Sequence, residues 1–136
     1  MCIVSKRGYM FRKQIVYGAF FYWFPLVMYM GIIFYLSHQS DPTPGISIPV
    51  SDKVVHVAEF FILQLLAIRA FCFARPVKSQ RQWLLASIVF CCVYALSDEF
   101  HQFFVPERES SLFDFIADSA GIFLSVIMHS FINFLR

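Results

Sequence analysis

Four long apolar stretches alternate with short polar segments along the chain, at about 15–36, 53–74, 83–105 and 111–135. Each is long enough to cross a hydrocarbon core of roughly 30 Å as an α-helix rising about 1.5 Å per residue. The segments between them carry turn chemistry. Pro42, Pro44, Gly45 and Pro49 exclude a regular helix from the first, and Ser51 or Asp52 is placed to cap the helix that follows. The second, 75–82, is a short basic loop, and 106–110 is a tight turn. The first stretch follows Lys6, Arg7, Arg12 and Lys13, as a secretory leader would. A leader's apolar part is shorter and closes on small residues, whereas this one closes Tyr35-Leu36-Ser37-His38, so a retained helix is expected. Pro25 lies inside it, which membrane helices tolerate. The pattern predicts an all-α integral membrane four-helix bundle: a basic cytoplasmic segment at 1–14, then one transmembrane domain at 15–136.

Composition agrees. Of 136 residues 59% are hydrophobic and 15% charged, against about 25% charged in soluble domains. The mean hydropathy is +0.65, and phenylalanine alone occurs 18 times. One small soluble core cannot hide that much apolar surface, so lipid is the expected solvent. The basic residues sit at membrane edges with no separate domain behind them, which argues against nucleic-acid binding. Cys72, Cys91 and Cys92 lie in apolar stretches, and none of the four cysteines has metal-type spacing, so reduced structural thiols are expected.

Charge sets an expected orientation. The amino-terminal tail is basic, and the second loop carries Arg75, Lys78 and Arg81, with Arg69 able to snorkel towards it. The first loop has Asp41 and no cation before Asp52-Lys53, and the third has Arg108 between Glu107 and Glu109. The positive-inside rule then puts both termini and the second loop in the cytoplasm. A bacterial inner membrane is the expected location.

The embedded polar residues are not scattered. Asp52, His56 and Glu59 share one helical face, with Lys53 beside them. Asp98, His101 and Gln102 share a face of the third helix, flanked by Glu99. Asp114 and Asp118 lie one turn apart on the fourth, in a strip that Ser111, Gly121 and Ser125 keep small. Glu59, Asp98 and Asp118 each sit about seven residues from the same end of their helix, roughly 10 Å deep. A carboxylate facing lipid costs at least about 2.5–3.5 kcal/mol. Such a layer is tolerable where its members face one another or a wet cavity.

A structural reading makes the layer a network of pairs, such as Asp98 with His56 or Glu59 with Lys53. Interhelical polar contacts in membranes average only about 0.6 kcal/mol, a poor return for so many costly groups. A functional reading uses His56 or His101 as general acid–base, oriented by Glu59, Asp98 or Glu99. Asp52, Lys53, Gln102, Arg108, Asp114 and Asp118 would then bind the ligand, Arg108 as a planar clamp on an anionic group. His56-x-x-Glu59 and Asp98-x-x-His101 resemble carboxylate-bridged metal motifs. No cysteine or third histidine supports them, so no metal is expected, and no cofactor is implied. Ser37, Ser97 and Ser111 read as cap or packing residues. Gln64 reads as a lone interhelical hydrogen bonder.

These residues resemble the VanZ-like family. Asp52-Lys53-Val54-Val55-His56 is similar to its DK-x-x-H signature. Ser97 to Arg108 resembles its SDE-x-HQ-x-FVPGR signature, and Asp114, Asp118 and Gly121 its D-x-x-x-N-x-x-G ending. Ser37-His38-Gln39-Ser40 is similar to the close of the first family helix. Glu107 stands where the family has Gly, and Asp118 where it has Asn, so Asp118 needs a partner, with Arg108 or a histidine the candidate. The family takes its name from a protein linked to teicoplanin resistance. The resemblance implies a fold and a cell-envelope context, not a reaction, and glycopeptide resistance does not transfer on motifs alone.

The expected function is an outward-facing polar pocket for an anionic or lipidic envelope ligand, with a membrane lipid or lipid-linked component as partner. The enzyme form acts chemically on that ligand. The rival forms are a non-catalytic envelope or antibiotic-tolerance factor and a small transporter subunit. The transporter form is weakened by the lack of an inverted repeat. Oligomers are compatible with all three.

Overall fold

The computed structural model describes residues 6–39, 49–74, 79–106, 108 and 111–135, without the side chains of 6–16, 19, 49–52 and 74. Four helices run in order: α1 (Lys6–Ser37), α2 (Pro49–Ala74), α3 (Gln80–Gln102) and α4 (Leu112–Phe134). All four are long and apolar enough to span a membrane, over Phe20–Ser37, Lys53–Phe73, Gln80–Gln102 and Leu112–Phe134. Large apolar side chains point outward along them, including Phe24 and Val27 on α1, Val89 and Val93 on α3, and Phe123 and Ile127 on α4. An exposed apolar surface of that extent is stable in lipid, not in water.

The helix ends differ from the apolar stretches for local reasons. α1 starts at Lys6, so the basic segment is already helical where it enters the span. Hydropathy marks where the bilayer begins, and a helix of 32 residues continues beyond it. α2 starts at Pro49, two and three residues before the expected caps Ser51 and Asp52. Proline suits a first turn, where its missing N–H has no partner to lose. α3 ends at Gln102 because the backbone tightens before Pro106, with Phe104 N–H on the His101 carbonyl and Val105 N–H on the Gln102 carbonyl. Ser79 and Ser111 cap α3 and α4 by accepting from Gln82 N–H and Phe113 N–H.

α2 is the central element, packed against the other three, while α1 and α4 do not touch among the described residues. Phe60, Leu63 and Ala67 of α2 meet Leu26 and Ile33 of α1, Cys91 and Ala95 of α3, and Ile122 of α4 in one core. Cys72, Cys91 and Cys92 are free thiols. α4 turns Asp114, Ala117, Asp118, Gly121, Ile122 and Ser125 inward. Ala117, Gly121 and Ser125 follow small-x-x-x-small spacing, which lets two membrane helices approach closely. A Cβ on Gly121 would collide with the Val57 carbonyl oxygen and stand 2.9 Å from the Phe61 amide nitrogen. That approach sets the distance between the polar groups of α2 and α4.

Candidate functional site

The polar residues gather at the end of the bundle formed by the close of α1, the start of α2, the close of α3 and the start of α4. Two bonded groups make it up. In the first, between α1 and α3, Asp98 Oδ2 accepts from Ser37 Oγ at 2.9 Å and from Gln102 Nε2 at 2.8 Å. Arg108 Nη1 donates to the carbonyls of Leu36, Ser37 and Gln39 at 3.1, 3.2 and 3.1 Å. These lie at the close of α1, where carbonyls lack helical partners, so the cation caps the helix with the favourable sign for its dipole. Tyr94 Oη adds a bond to the Met30 carbonyl at 2.6 Å.

In the second group, between α2 and α4, His56 Nδ1 is 3.0 Å from Asp118 Oδ1, with both side chains buried. Lys53 forms an ion pair with Asp114. Glu99 links α3 to this group by accepting from the Ser111 N–H at 3.0 Å. Glu59 lies between, within electrostatic reach of His56, Asp98, Asp118 and Arg108. It makes no hydrogen bond or ion pair with a described residue.

The partners are therefore not all those the sequence suggests. His56 meets Asp118 rather than Asp98, and Lys53 meets Asp114 rather than Glu59. Helical spacing identifies which residues share a face, and only the close packing of α4 on α2 decides which faces meet. The residue at 118 finds a histidine, one of its two candidate partners. His101 turns away from Asp98 and Gln102 to stack on Phe34 of α1 and on His38 just beyond it, with centroids 4.3 and 5.5 Å apart. Asp52 was expected to bind ligand, but its side chain lies outside the described residues, as does Glu107. Gln64 donates to Ser87 Oγ at 3.0 Å, a bond between α2 and α3.

Ser37 is the contributor that sequence reading undervalued. Its position in the short Ser-rich close of α1 was the available signal. Two other serines described at this end are engaged locally: Ser97 Oγ donates to the Tyr94 carbonyl, and Ser111 Oγ caps α4. Among the described residues no three His, Cys, Asp or Glu side chains are arranged to hold a metal ion.

One property of this end stands out on counting donors and acceptors. Among the described residues nothing donates to Asp98 Oδ1, Glu99 Oε1, Gln102 Oε1 or Asp118 Oδ2, all of them buried, and His101 Nε2 has no hydrogen-bond partner there either. The oxygens are all acceptors, and each such buried orphan costs about 1–3 kcal/mol. The two permanent cations of this end are already on protein acceptors, Arg108 on α1 carbonyls and Lys53 on Asp114.

Fold and site together define a multi-pass helical membrane protein with a carboxylate-rich layer at one end of its bundle. The chain belongs to the VanZ/LLP1 family, whose sequence profile matches residues 9–133. An uncharacterized protein of Schizosaccharomyces pombe is 32% identical over 87 residues, which is 63% of this chain and 51% of that protein. The chain thus matches about half the length of that relative. No solved structure matches it.

Proposed function

We propose that the polar end binds the headgroup of a membrane lipid or lipid-linked component that brings hydrogen-bond donors, ammonium or hydroxyl, into the layer. The observation that carries this is the set of four buried acceptor oxygens without donors among the described residues. A layer built only to hold helices together would pair its own groups. A purely anionic ligand would add acceptors where acceptors are in excess, so the donor-bearing lipid is the better fit. Binding is favoured over serine-based catalysis, because Ser37, Ser97 and Ser111 are each held in bonds that do not involve a histidine. The His56–Asp118 pair supports a second reading, an acid–base step on the bound headgroup, since a carboxylate on Nδ1 fixes the imidazole tautomer and orientation.

Native mass spectrometry of the purified protein tests the binding reading. Lipids with amine or hydroxyl headgroups should be retained and should be lost from an Asp98→Asn, Asp118→Asn double variant. Donor-bearing lipids retained equally by wild type and the double variant would refute it. Conversion of the retained lipid on incubation, abolished by His56→Gln, would establish the second reading.

We also propose that the polar end faces away from the cytosol, from the charge asymmetry of the loops. In a bacterium the membrane would be the cytoplasmic one. The relative is a yeast protein, so the topology is stated relative to the cytosol. Reporter fusions after Arg75 and Arg136 should read cytosolic and a fusion after Pro44 the opposite side. A non-cytosolic reading at Arg136 would exclude the four-span arrangement.

A further inference from the structure

The other end of the bundle has the opposite imbalance. Nine of the 11 Lys and Arg residues belong by sequence to the segments at that end: Lys6, Arg7, Arg12, Lys13, Arg69, Arg75, Lys78, Arg81 and Arg136. All 9 Asp and Glu residues belong to the polar end, since none occurs in 1–40, 60–97 or 119–136. Most of those cations flank the spans, where water and ions can screen them. Arg69 is different. It lies inside the α2 span, four residues before its Phe73 limit, about 6 Å along the axis.

Its surroundings form a groove of about 680 Å³, open at the side and mainly apolar, bounded by Tyr22 of α1, Leu65, Ile68 and Cys72 of α2, and His129 of α4. The groove exists because α1 and α4 do not touch across α2. The Arg69 guanidinium carbon stands 4.6 Å from the Phe21 ring centroid and 5.0 Å from that of Tyr22. Among the described residues no carboxylate pairs with it and no acceptor takes its N–H groups. Ring faces contribute roughly 0.5–2 kcal/mol to a cation but do not neutralise it. They hold the guanidinium plane and leave its edge N–H groups to donate, two at a time, to the oxygens of a phosphate.

We propose that this groove holds one anionic phospholipid of the adjacent leaflet, its phosphate on Arg69 and an acyl chain along Leu65 and Ile68. An apolar channel beside an unneutralised cation at interfacial depth matches an amphiphile with its charge at the head. The site is separate from the polar end and takes the opposite chemistry, an acceptor in place of a donor.

The test reconstitutes the full chain in nanodiscs of equal phosphatidylmethanol, an anionic lipid with no amine or hydroxyl donor for the polar end, and phosphatidylcholine, releases it into detergent and counts retained lipids by native mass spectrometry. Wild-type protein should keep one phosphatidylmethanol in preference to phosphatidylcholine. Arg69→Gln should lower that preference about tenfold, equivalent to about 1.4 kcal/mol. Arg69→Lys should lower it less, because an ammonium lacks the planar edge. Arg81→Gln, an exposed cation of α3, should leave it unchanged, as should Asp118→Asn at the other end. If Arg69→Gln does not fold, the Arg69→Lys and Tyr22→Leu variants carry the reading, each with weaker retention at normal melting temperature. Equal retention of both lipids, an equal drop in Arg81→Gln, displacement by added inorganic phosphate, or no retained lipid would each overturn the proposal.

Discussion

Asp98→Asn and Asp118→Asn are each expected to raise the melting temperature of the purified protein while removing its retention of donor-bearing lipid. The geometry makes the two changes nearly isosteric. Asp98 accepts both its hydrogen bonds, from Ser37 and Gln102, on Oδ2, and its Oδ1 is a buried orphan. In an asparagine the carbonyl oxygen can keep the first role, and the amide nitrogen replaces the orphan with a donor. Asp118 presents the same division, with Oδ1 on His56 and Oδ2 unpartnered. The gain comes from charge, since an amide is cheaper to bury than a carboxylate, while the swapped atom exchanges one unpartnered buried group, worth about 1–3 kcal/mol, for another. The ligand loses an acceptor at the same position, so binding should fall at least about tenfold for a comparable energy. Gain of stability with loss of function is the pattern expected where groups are kept for a ligand at a cost to the fold. The scaffold reading predicts the reverse: both variants would melt lower and show lower abundance, with lipid retention per folded molecule intact. Thermal melts in detergent, run beside native mass spectrometry on the same preparations, separate the two.

The parts of this molecule that could be read from sequence are those that follow from one-dimensional pattern. The four spans were legible because an apolar run of some 20 residues has few uses outside a bilayer. Family membership was legible because Ser97 to Arg108 is a long and specific string, and the profile match over 9–133 agrees with it. Helix starts were less so. Pro49 looks like a breaker until it is placed in a first turn, where its missing N–H costs nothing. Pairing was the least legible. Asp98 and His101 are one turn apart, yet Asp98 joins Ser37 and Gln102 while His101 stacks on Phe34 and His38. Arg108 fits an anion clamp by residue type, but its Nη1 lies on three carbonyls at and just beyond the close of α1. Those outcomes depend on which helices approach and how closely. That information is carried by small residues such as Gly121, whose meaning appears only beside Val57 and Phe61.

Gly121→Ala is accordingly expected to be among the most damaging single-methyl changes in the protein, and Gly31→Ala to be harmless. At Gly121 the added Cβ would meet the Val57 carbonyl oxygen and the Phe61 amide nitrogen, both backbone atoms of α2. A side chain can rotate out of the way, but a helix backbone cannot, so α4 must move off α2. Overpacking of this kind costs about 1–3 kcal/mol. The displacement also falls on the groups one turn away, since Asp118 is three residues earlier on α4 and its bond to His56 is 3.0 Å. The Lys53–Asp114 pair, a turn further on, would open as well. Among the described residues no atom beyond its own helix backbone lies within 4 Å of a Cβ built on Gly31, so alanine there adds a methyl group facing the surroundings and improves helix propensity by up to about 1 kcal/mol. Thermal melts of the two variants should therefore diverge, Gly121→Ala well below wild type and Gly31→Ala at or above it. Gly121→Leu should fail to assemble a bundle while still inserting, since its hydropathy suits lipid. A Gly121→Ala protein that melts like wild type and retains its lipid would show that α2 and α4 do not approach this closely, and the His56–Asp118 pair would lose its structural basis with them.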